Sequence, residues 1–312
     1  MISLETIQAA HDRIRPYIHR TPVLTSAYLD QLSGAKLFFK CENFQKIGAF
    51  KARGGVNAVL QLTEAERARG VTTHSSGNHA QAIAYAARQA GTRAYIVMPR
   101  TAPQVKKDAV RGYGAEVIEC EPTLQAREEG VQAIMAQKGA VLVHPFDDDR
   151  VIAGQATAAK ELLEDAGPLD FLLAPVGGGG LLSGTALSAH YLSPRTTVIA
   201  GEPEGAADAV LSFRSGRVEA APYIQTIADG LLTTLSDRTL ALIRQHVSDI
   251  LTVSDAEIIA AMRLIWERMK ILIEPSCAVP LAVVLKHPDR FASHTVGLIL
   301  TGGNVDLGKL PF

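Results

Sequence analysis

Short apolar runs alternate with longer helical patterns along nearly the whole chain, and this alternation restricts the fold more than any other feature. Leu37–Phe39 reads as a strand and Arg53–Leu62 as a helix; Val71–Thr73 precedes a helix over Asn78–Ala90, and Tyr95–Val97 one over Pro103–Tyr113. Val117–Ile118 leads into Thr123–Lys138, Val141–Val143 into Ile152–Asp165, and Phe171–Pro175 through a glycine-rich turn into Leu181–Tyr191. Thr197–Gly201, Ile250–Val253 and Val296–Leu300 read as further strands, with an amphipathic helix over Asp255–Lys270. Strand then helix, repeated, requires right-handed crossovers, and so predicts an α/β fold of twisted, mostly parallel sheets covered on both faces. At 312 residues one large domain and two lobes are both open. In open parallel sheets ligands sit beyond the carboxyl ends of the strands, so the loops that follow strands are where chemistry is expected.

Charge and cysteine content remove several function classes. With 31 Lys+Arg against 32 Asp+Glu there is no broad basic field for a phosphate backbone, so nucleic acid is not expected as a partner. No apolar run approaches the roughly 18 residues of a membrane span, and Met1–Glu5 lacks the basic and apolar regions of a secretory signal. Cys41, Cys120 and Cys277 are odd in number and contain no CxxC, which points to buried free thiols in a cytoplasmic protein that engages no membrane.

Five segments carry polar chemistry at strand ends. In Val176-Gly177-Gly178-Gly179-Gly180-Leu181, four residues without Cβ let backbone N–H groups converge, and the following helix N-terminus adds positive potential. That makes a phosphate cradle, with a tightly packed turn as the plainer reading. Absence of GK[ST] and of GxGxxG excludes a P-loop and weakens a dinucleotide site. In Asn43–Gly54, Lys51 stands beside Phe50 at a helix start; a desolvated lysine there can be a nucleophile, although taken alone such a lysine is usually a solvated one. Ser75-Ser76-Gly77-Asn78-His79 fits either a helix cap or a carboxylate site. Gly201–Asp208 gathers Glu202, Glu204 and Asp208, oxygen ligands suited to a hard cation or simply a solvated acidic loop. Asp147, Asp148 and Asp149 are read as pointing outward or capping the next helix, not as a metal site. Thr301, in Thr301-Gly302-Gly303-Asn304, closes the last strand with a hydroxyl able to meet a ligand heteroatom.

Taken together and in this order, these segments resemble the fold type II pyridoxal-phosphate enzymes (tryptophan synthase β-like), within them the serine/threonine dehydratase and serine racemase group. The resemblance runs from Thr21 to Asp306 and rests on NFQKIGAFKARG, SSGNH, VGGGGL, TIADG and TGGN. It implies two lobes: a large cofactor-binding lobe of residues 1–65 and 147–312, and a small mobile lobe of residues 66–146. It implies pyridoxal 5'-phosphate bound covalently to Lys51, against Phe50, with Asn78 at the phenolic oxygen, Gly177, Gly178, Gly179, Gly180 and Leu181 around the phosphate, and Thr301 at the ring nitrogen. A hydroxyl there, unlike a carboxylate, makes the ring a weaker electron sink and favours elimination.

The same resemblance implies a small amino-acid substrate held by Ser75, Ser76, Asn78 and His79, with Lys51 as base on one face and Ser76 as acid/base on the other. Glu202, the carbonyl of Ala206 and Asp208 match the site of Mg²⁺, Ca²⁺ or Mn²⁺ in metal-dependent members, and a homodimer is implied. Cys120-Glu121-Pro122 with Arg127 is similar to the racemases, whereas Ala49 departs from the usual serine and His144-Pro145-Phe146-Asp147 follows the dehydratases. Arg127 is expected to accept a second carboxylate, as in threo-3-hydroxyaspartate. The expected activity is dehydration and deamination of a β-hydroxy amino acid such as serine, threonine or 3-hydroxyaspartate. Amino-acid racemisation and silent cofactor binding are the alternatives, and no isoleucine-sensing domain is expected.

Overall fold

The computed structural model, which describes residues 2–312, contains ten strands: β1 Val23–Leu24, β2 Lys36–Cys41, β3 Val71–His74, β4 Ala94–Pro99, β5 Glu116–Cys120, β6 Val141–Leu142, β7 Phe171–Pro175, β8 Thr197–Pro203, β9 Asp249–Val253 and β10 Thr295–Leu300. They form a six-stranded sheet in the order β1-β2-β10-β7-β8-β9 and a four-stranded sheet in the order β5-β4-β3-β6. Every pairing is parallel except that of β1 with β2.

The strand orders decide where a ligand can enter. In the larger sheet the chain winds outward from β7 through β8 to β9, while β10 returns on the opposite side of β7. The loops after β7 and β10 therefore diverge and leave a crevice. β3 occupies the same position in the smaller sheet, with β4 and β6 on its two sides. The glycine loop and Thr301 lie at the first switch point, and Ser75–Gly77 and His144 at the second.

Small residues bring the helices under this crevice close together. A Cβ on Gly154 would stand 2.6 Å from the Gly54 Cα, and one on Gly184 would stand 2.7 Å from the Ala156 nitrogen. Helix Asp149–Ala166 can therefore pack backbone to backbone against both Lys51–Leu60 and Gly180–Leu192. Leu37, Phe39, Val279, Phe291 and Leu298 fill the core on one face of the larger sheet, and Val56, Ile83, Ile96 and Val151 that of the smaller.

Several expectations need correction. The predicted helix Asp255–Lys270 is α-helical only over Asp255–Leu264 and continues as a π-helical segment, Ile265–Met269. Cys41 and Cys277 are buried free thiols, but Cys120 is only half-buried. Helices Leu4–Ile14, Asp237–His246 and Pro275–Lys286 were not anticipated. Asp148 does cap the helix that follows, accepting the Arg150 N–H, while Asp147 and Asp149 pair with Arg238. Among the described residues no helix is long and apolar enough to cross a membrane.

Candidate active site

Lys51 opens the helix Lys51–Leu60, directly after Phe50. Its Nζ lies 5.1 Å from the Phe50 ring centroid and donates to the Pro145 carbonyl at 2.8 Å. Surrounding protein pushes the ammonium pKa down to about 8 by desolvation. Near neutral pH a usable fraction of Lys51 is therefore the free amine, the nucleophilic form. The Phe50 N–H donates to the Thr301 carbonyl at 2.9 Å, and Gly303 N–H to the Gly48 carbonyl at 2.9 Å. The turn after β10 thus fastens the segment that presents Lys51.

The glycine loop meets this segment through Phe146. A Cβ on Gly178 would lie 2.2 Å from the Phe146 ring, and one on Gly180 2.9 Å from Phe146 Cβ. Gly179 has φ +84°, a left-handed conformation that disfavours other residues. No side chain caps helix Gly180–Leu192, so the N–H groups of its first turn remain free for an anion. These residues fit a phosphate group: a Cβ on any of Gly177, Gly178, Gly179 and Gly180 would stand within 3.1 Å of a neighbouring atom, so only glycine fits the loop that presents those N–H groups.

The SSGNH turn behaves differently from a simple cap. Ser75 Oγ accepts the Gly77 N–H at 3.2 Å, and the helix Asn78–Gln89 has no side-chain cap. Its N-terminus too is open to a carboxylate. Ser76 is partly exposed in this turn. His79, which the resemblance sets among the residues that hold the substrate, turns its imidazole into the protein. It is 3% exposed, and its Nε2 is bonded to the Val143 carbonyl at 3.1 Å. Burial, and then the charge of Lys51, hold it well below the usual imidazole pKa. Only its backbone remains available at the helix end. Arg127 is half-buried, with Nε on the Thr123 carbonyl at 3.3 Å, and its charge is felt by His74 at the end of β3.

Asn78 is held from two positions that had been assigned no function. Its Nδ2 lies 2.9 and 3.2 Å from the two oxygens of Glu274, and its Oδ1 accepts from Asn304 Nδ2 at 2.8 Å. Asn304 closes the TGGN motif, whereas Glu274 has no local signal beyond preceding a proline at a helix start.

Glu202 and Asp208 are both buried, and Asp208 Oδ2 has no partner. Glu202 accepts the N–H groups of Ala209 and Val210 at 2.6 and 2.9 Å. Burial pushes Glu202 up to about 8 and Asp208 up to about 6. Two neighbouring desolvated carboxylates, one oxygen unsatisfied, fit a divalent cation. Ala206 is buried between them in sequence, whereas Glu204 pairs with Lys286 at 2.9 Å. Among the described residues no group of three or more His, Cys, Asp or Glu side chains is arranged for a metal, so a third protein ligand would have to be a carbonyl.

Fold and site together describe an α/β protein with a desolvated lysine near a glycine loop that fits a phosphate group. The sequence family described as "pyridoxal-phosphate dependent enzyme" matches residues 14–302, and the chain belongs to it. It is 56% identical over 308 residues to a beta-hydroxyaspartate dehydratase of Paracoccus denitrificans, covering 99% of this chain and 98% of that one. It is 48% identical to an L-threo-3-hydroxyaspartate ammonia-lyase of Saccharomyces cerevisiae, covering 96% and 92%. The crystal structure of serine racemase from Dictyostelium discoideum superposes with a TM-score of 0.94 at 48% identity, covering 98% of this chain and 99% of that one.

Proposed function

We propose that this enzyme removes water and then ammonia from a β-hydroxy amino acid, and that 3-hydroxyaspartate is its preferred substrate. The observation that carries the reading is a desolvated lysine, Lys51, joined through Pro145 and Phe146 to an uncapped glycine-loop helix. Pyridoxal phosphate would be held covalently by Lys51, at its phosphate by Gly177–Leu181, against Phe50, and by Asn78 and Thr301 at its phenolic oxygen and ring nitrogen. When bound, its ring withdraws electrons from the α-carbon of an amino acid.

The protein's own groups then act in turn. The open N-terminus of helix Asn78–Gln89, with Ser75 and Ser76, holds the α-carboxylate. The Lys51 amine, freed when the substrate's own amine takes its place, takes the α-proton as general base. The β-hydroxyl takes up a proton as it leaves, so that the α-proton and hydroxide are lost together as one water, and the enamine that is released adds water to give a 2-oxo acid and ammonia. Residues 66–146 act as a small lobe that closes over the site and excludes water. Arg127 takes the side-chain carboxylate.

A second reading, racemisation, is favoured by the partly exposed hydroxyl of Ser76 on the substrate-side turn. Chiral analysis of unreacted serine separates the two. The test of the main reading is 2-oxo acid release from L-serine, D-serine, L-threonine and threo-3-hydroxyaspartate. Arg127→Ala is expected to lower kcat/KM for hydroxyaspartate about 10–100-fold, the scale of a lost charge-assisted hydrogen-bonded pair, and to change serine turnover little. An unchanged preference between the two substrates refutes the assignment of Arg127.

A divalent cation held by Glu202, the Ala206 carbonyl and Asp208 would support the phosphate cradle from the side, since these residues follow or end β8, which pairs with β7, the strand that leads into the glycine loop. Mg²⁺ at about 100 times its Kd is expected to stabilise the fold by about 2.7 kcal/mol, read as a raised Tm that EDTA reverses. A Tm indifferent to Mg²⁺, Ca²⁺ and Mn²⁺ removes the site. We further place the enzyme in the cytoplasm as a homodimer, on its resemblance to the group.

A further inference from the structure

Glu274 immediately precedes the helix Pro275–Lys286 and is 5% exposed. Its backbone N–H donates to the Gly302 carbonyl at 3.0 Å, which ties it to the turn after β10. Its two carboxylate oxygens face one donor, Asn78 Nδ2, at 2.9 and 3.2 Å. Asn304 Nδ2 fills the other end of the same amide at 2.8 Å and also donates to the Ile47 carbonyl at 2.8 Å. With Oδ1 taken by a donor and Nδ2 by an acceptor, the Asn78 amide has one orientation. Nδ2 carries two hydrogens, and a single acceptor group leaves one of them for a ligand.

The contact also spans the molecule. Asn78 begins the helix after β3 of the four-stranded sheet, whereas Glu274 and Asn304 flank β10 of the six-stranded sheet. We propose that Glu274 is a positioning residue that acts through Asn78, aiming its amide at the phenolic oxygen of the cofactor and tying the two sheets together across the cleft. The inference rests on the pyridoxal-phosphate reading of the site.

The charges around Glu274 make this hold sensitive to pH. Burial pushes its carboxyl up to about 7; the Asn78 hydrogen bond opposes that, the charge of Asp229 adds to it, and the charge of Lys106 opposes it. Asp229 and Lys106 are themselves paired at 3.0 Å, and the neighbouring Cys277 thiol is pushed well above its usual range by burial, so it stays neutral. As pH falls through about 7, Glu274 gains a proton, one oxygen becomes a donor, and Asn78 loses an acceptor. Glutamine at this position keeps the shape but never carries the charge.

The experiment titrates pyridoxal phosphate into apo protein and follows the absorbance of the lysine-bound cofactor at about 410–420 nm. At pH 8, Glu274→Gln is expected to weaken cofactor binding about tenfold, as for a lost hydrogen bond to a charged group. In an Asn78→Ala background the same substitution is expected to change affinity less than about twofold, because the two act as one unit. The ratio of wild-type to Glu274→Gln affinity should also shrink as pH is lowered from 8 to 6. Equal effects of Glu274→Gln with and without Asn78, or a ratio that ignores pH, overturn the proposal. If Glu274→Gln does not fold, Asn304→Ser enters the same cycle. It releases the other end of the amide, and a loss of affinity independent of Asn78 again overturns the proposal. A wild-type protein that binds no pyridoxal phosphate overturns the reading of the site itself, whereas wild-type affinity in Glu274→Gln overturns only this inference.

Discussion

Lys51→Ala is expected to give a folded protein that lacks the absorbance band at about 410–420 nm and releases 2-oxo acid about 10⁴-fold more slowly or worse. Two functions are lost in one substitution, the covalent attachment of the cofactor and the base that takes the α-proton. The fold should hardly notice, because among the described residues the one hydrogen bond of Nζ is to the Pro145 carbonyl and the residue stands at the first position of its helix. Unchanged Tm therefore belongs to the expected result. The desolvated ammonium, with its pKa near 8, adds a pH signature. Cofactor attachment to the wild-type apo protein should quicken as pH rises through about 8, since the neutral fraction of the amine grows there. A Lys51→Ala protein that keeps both the band and wild-type turnover would sink the assignment.

What could be read along the chain was local. The glycine loop and the SSGNH turn are each contiguous and lie at the end of a strand that its own apolar residues announce, and the Phe50-Lys51 pair is contiguous at a helix start. Helix Pro275–Lys286 gives no such signal. It is buried from Ser276 through Val284 and carries Pro280 inside, so no polar face alternates with an apolar one, and a proline argues against helix. Missing that helix hid Glu274 at its start. The contact that gives Glu274 its place joins residues 196 positions apart, and no spacing rule reaches that far. His79 shows the same limit. Its motif placed it correctly at the turn, but the direction of an imidazole depends on the Val143 carbonyl behind it, which belongs to a different strand end. Glu202 and Asp208 were legible as types, while their burial, which separates a cation site from a solvated loop, was not.

The same limit applied to Arg53, which the NFQKIGAFKARG segment presents as an ordinary helical arginine two residues after Lys51. It is completely buried. Its Nε and Nη2 bond Glu42 at 2.7 and 2.8 Å, and Nη1 and Nη2 bond Glu161 at 3.0 and 2.7 Å. Nη1 also donates to Thr157 at 3.1 Å. Lys40 meets Glu161 at 2.7 Å, and His11 meets it at 3.2 Å. Arg53, on the helix that Lys51 opens, and Lys40 thus balance two buried carboxylates.

Arg53→Ala is expected to destabilise the protein by about 3–5 kcal/mol, which is the consequence of leaving buried charge unpaired, not the net worth of the network. At roughly 2–3 °C per kcal/mol for a chain of this size, Tm should fall by about 6–15 °C. The sign of the pH dependence follows from Glu161. Burial opposes its charge, but hydrogen bonds from His11 and Arg53 and the charges of Arg53 and Lys40 prevail, and its carboxyl sits well below the usual range. A carboxylate depressed in the folded state contributes stability above its unfolded pKa, about 4.3, and loses it as pH falls below that value. The Tm gap between wild type and Arg53→Ala should therefore be widest above pH 5 and narrow as pH drops through about 4. Thermal melts of both proteins across that range decide it. A gap that stays constant with pH would mean that Arg53 acts by filling space, and that the carboxylates beneath Lys51 are held by other means.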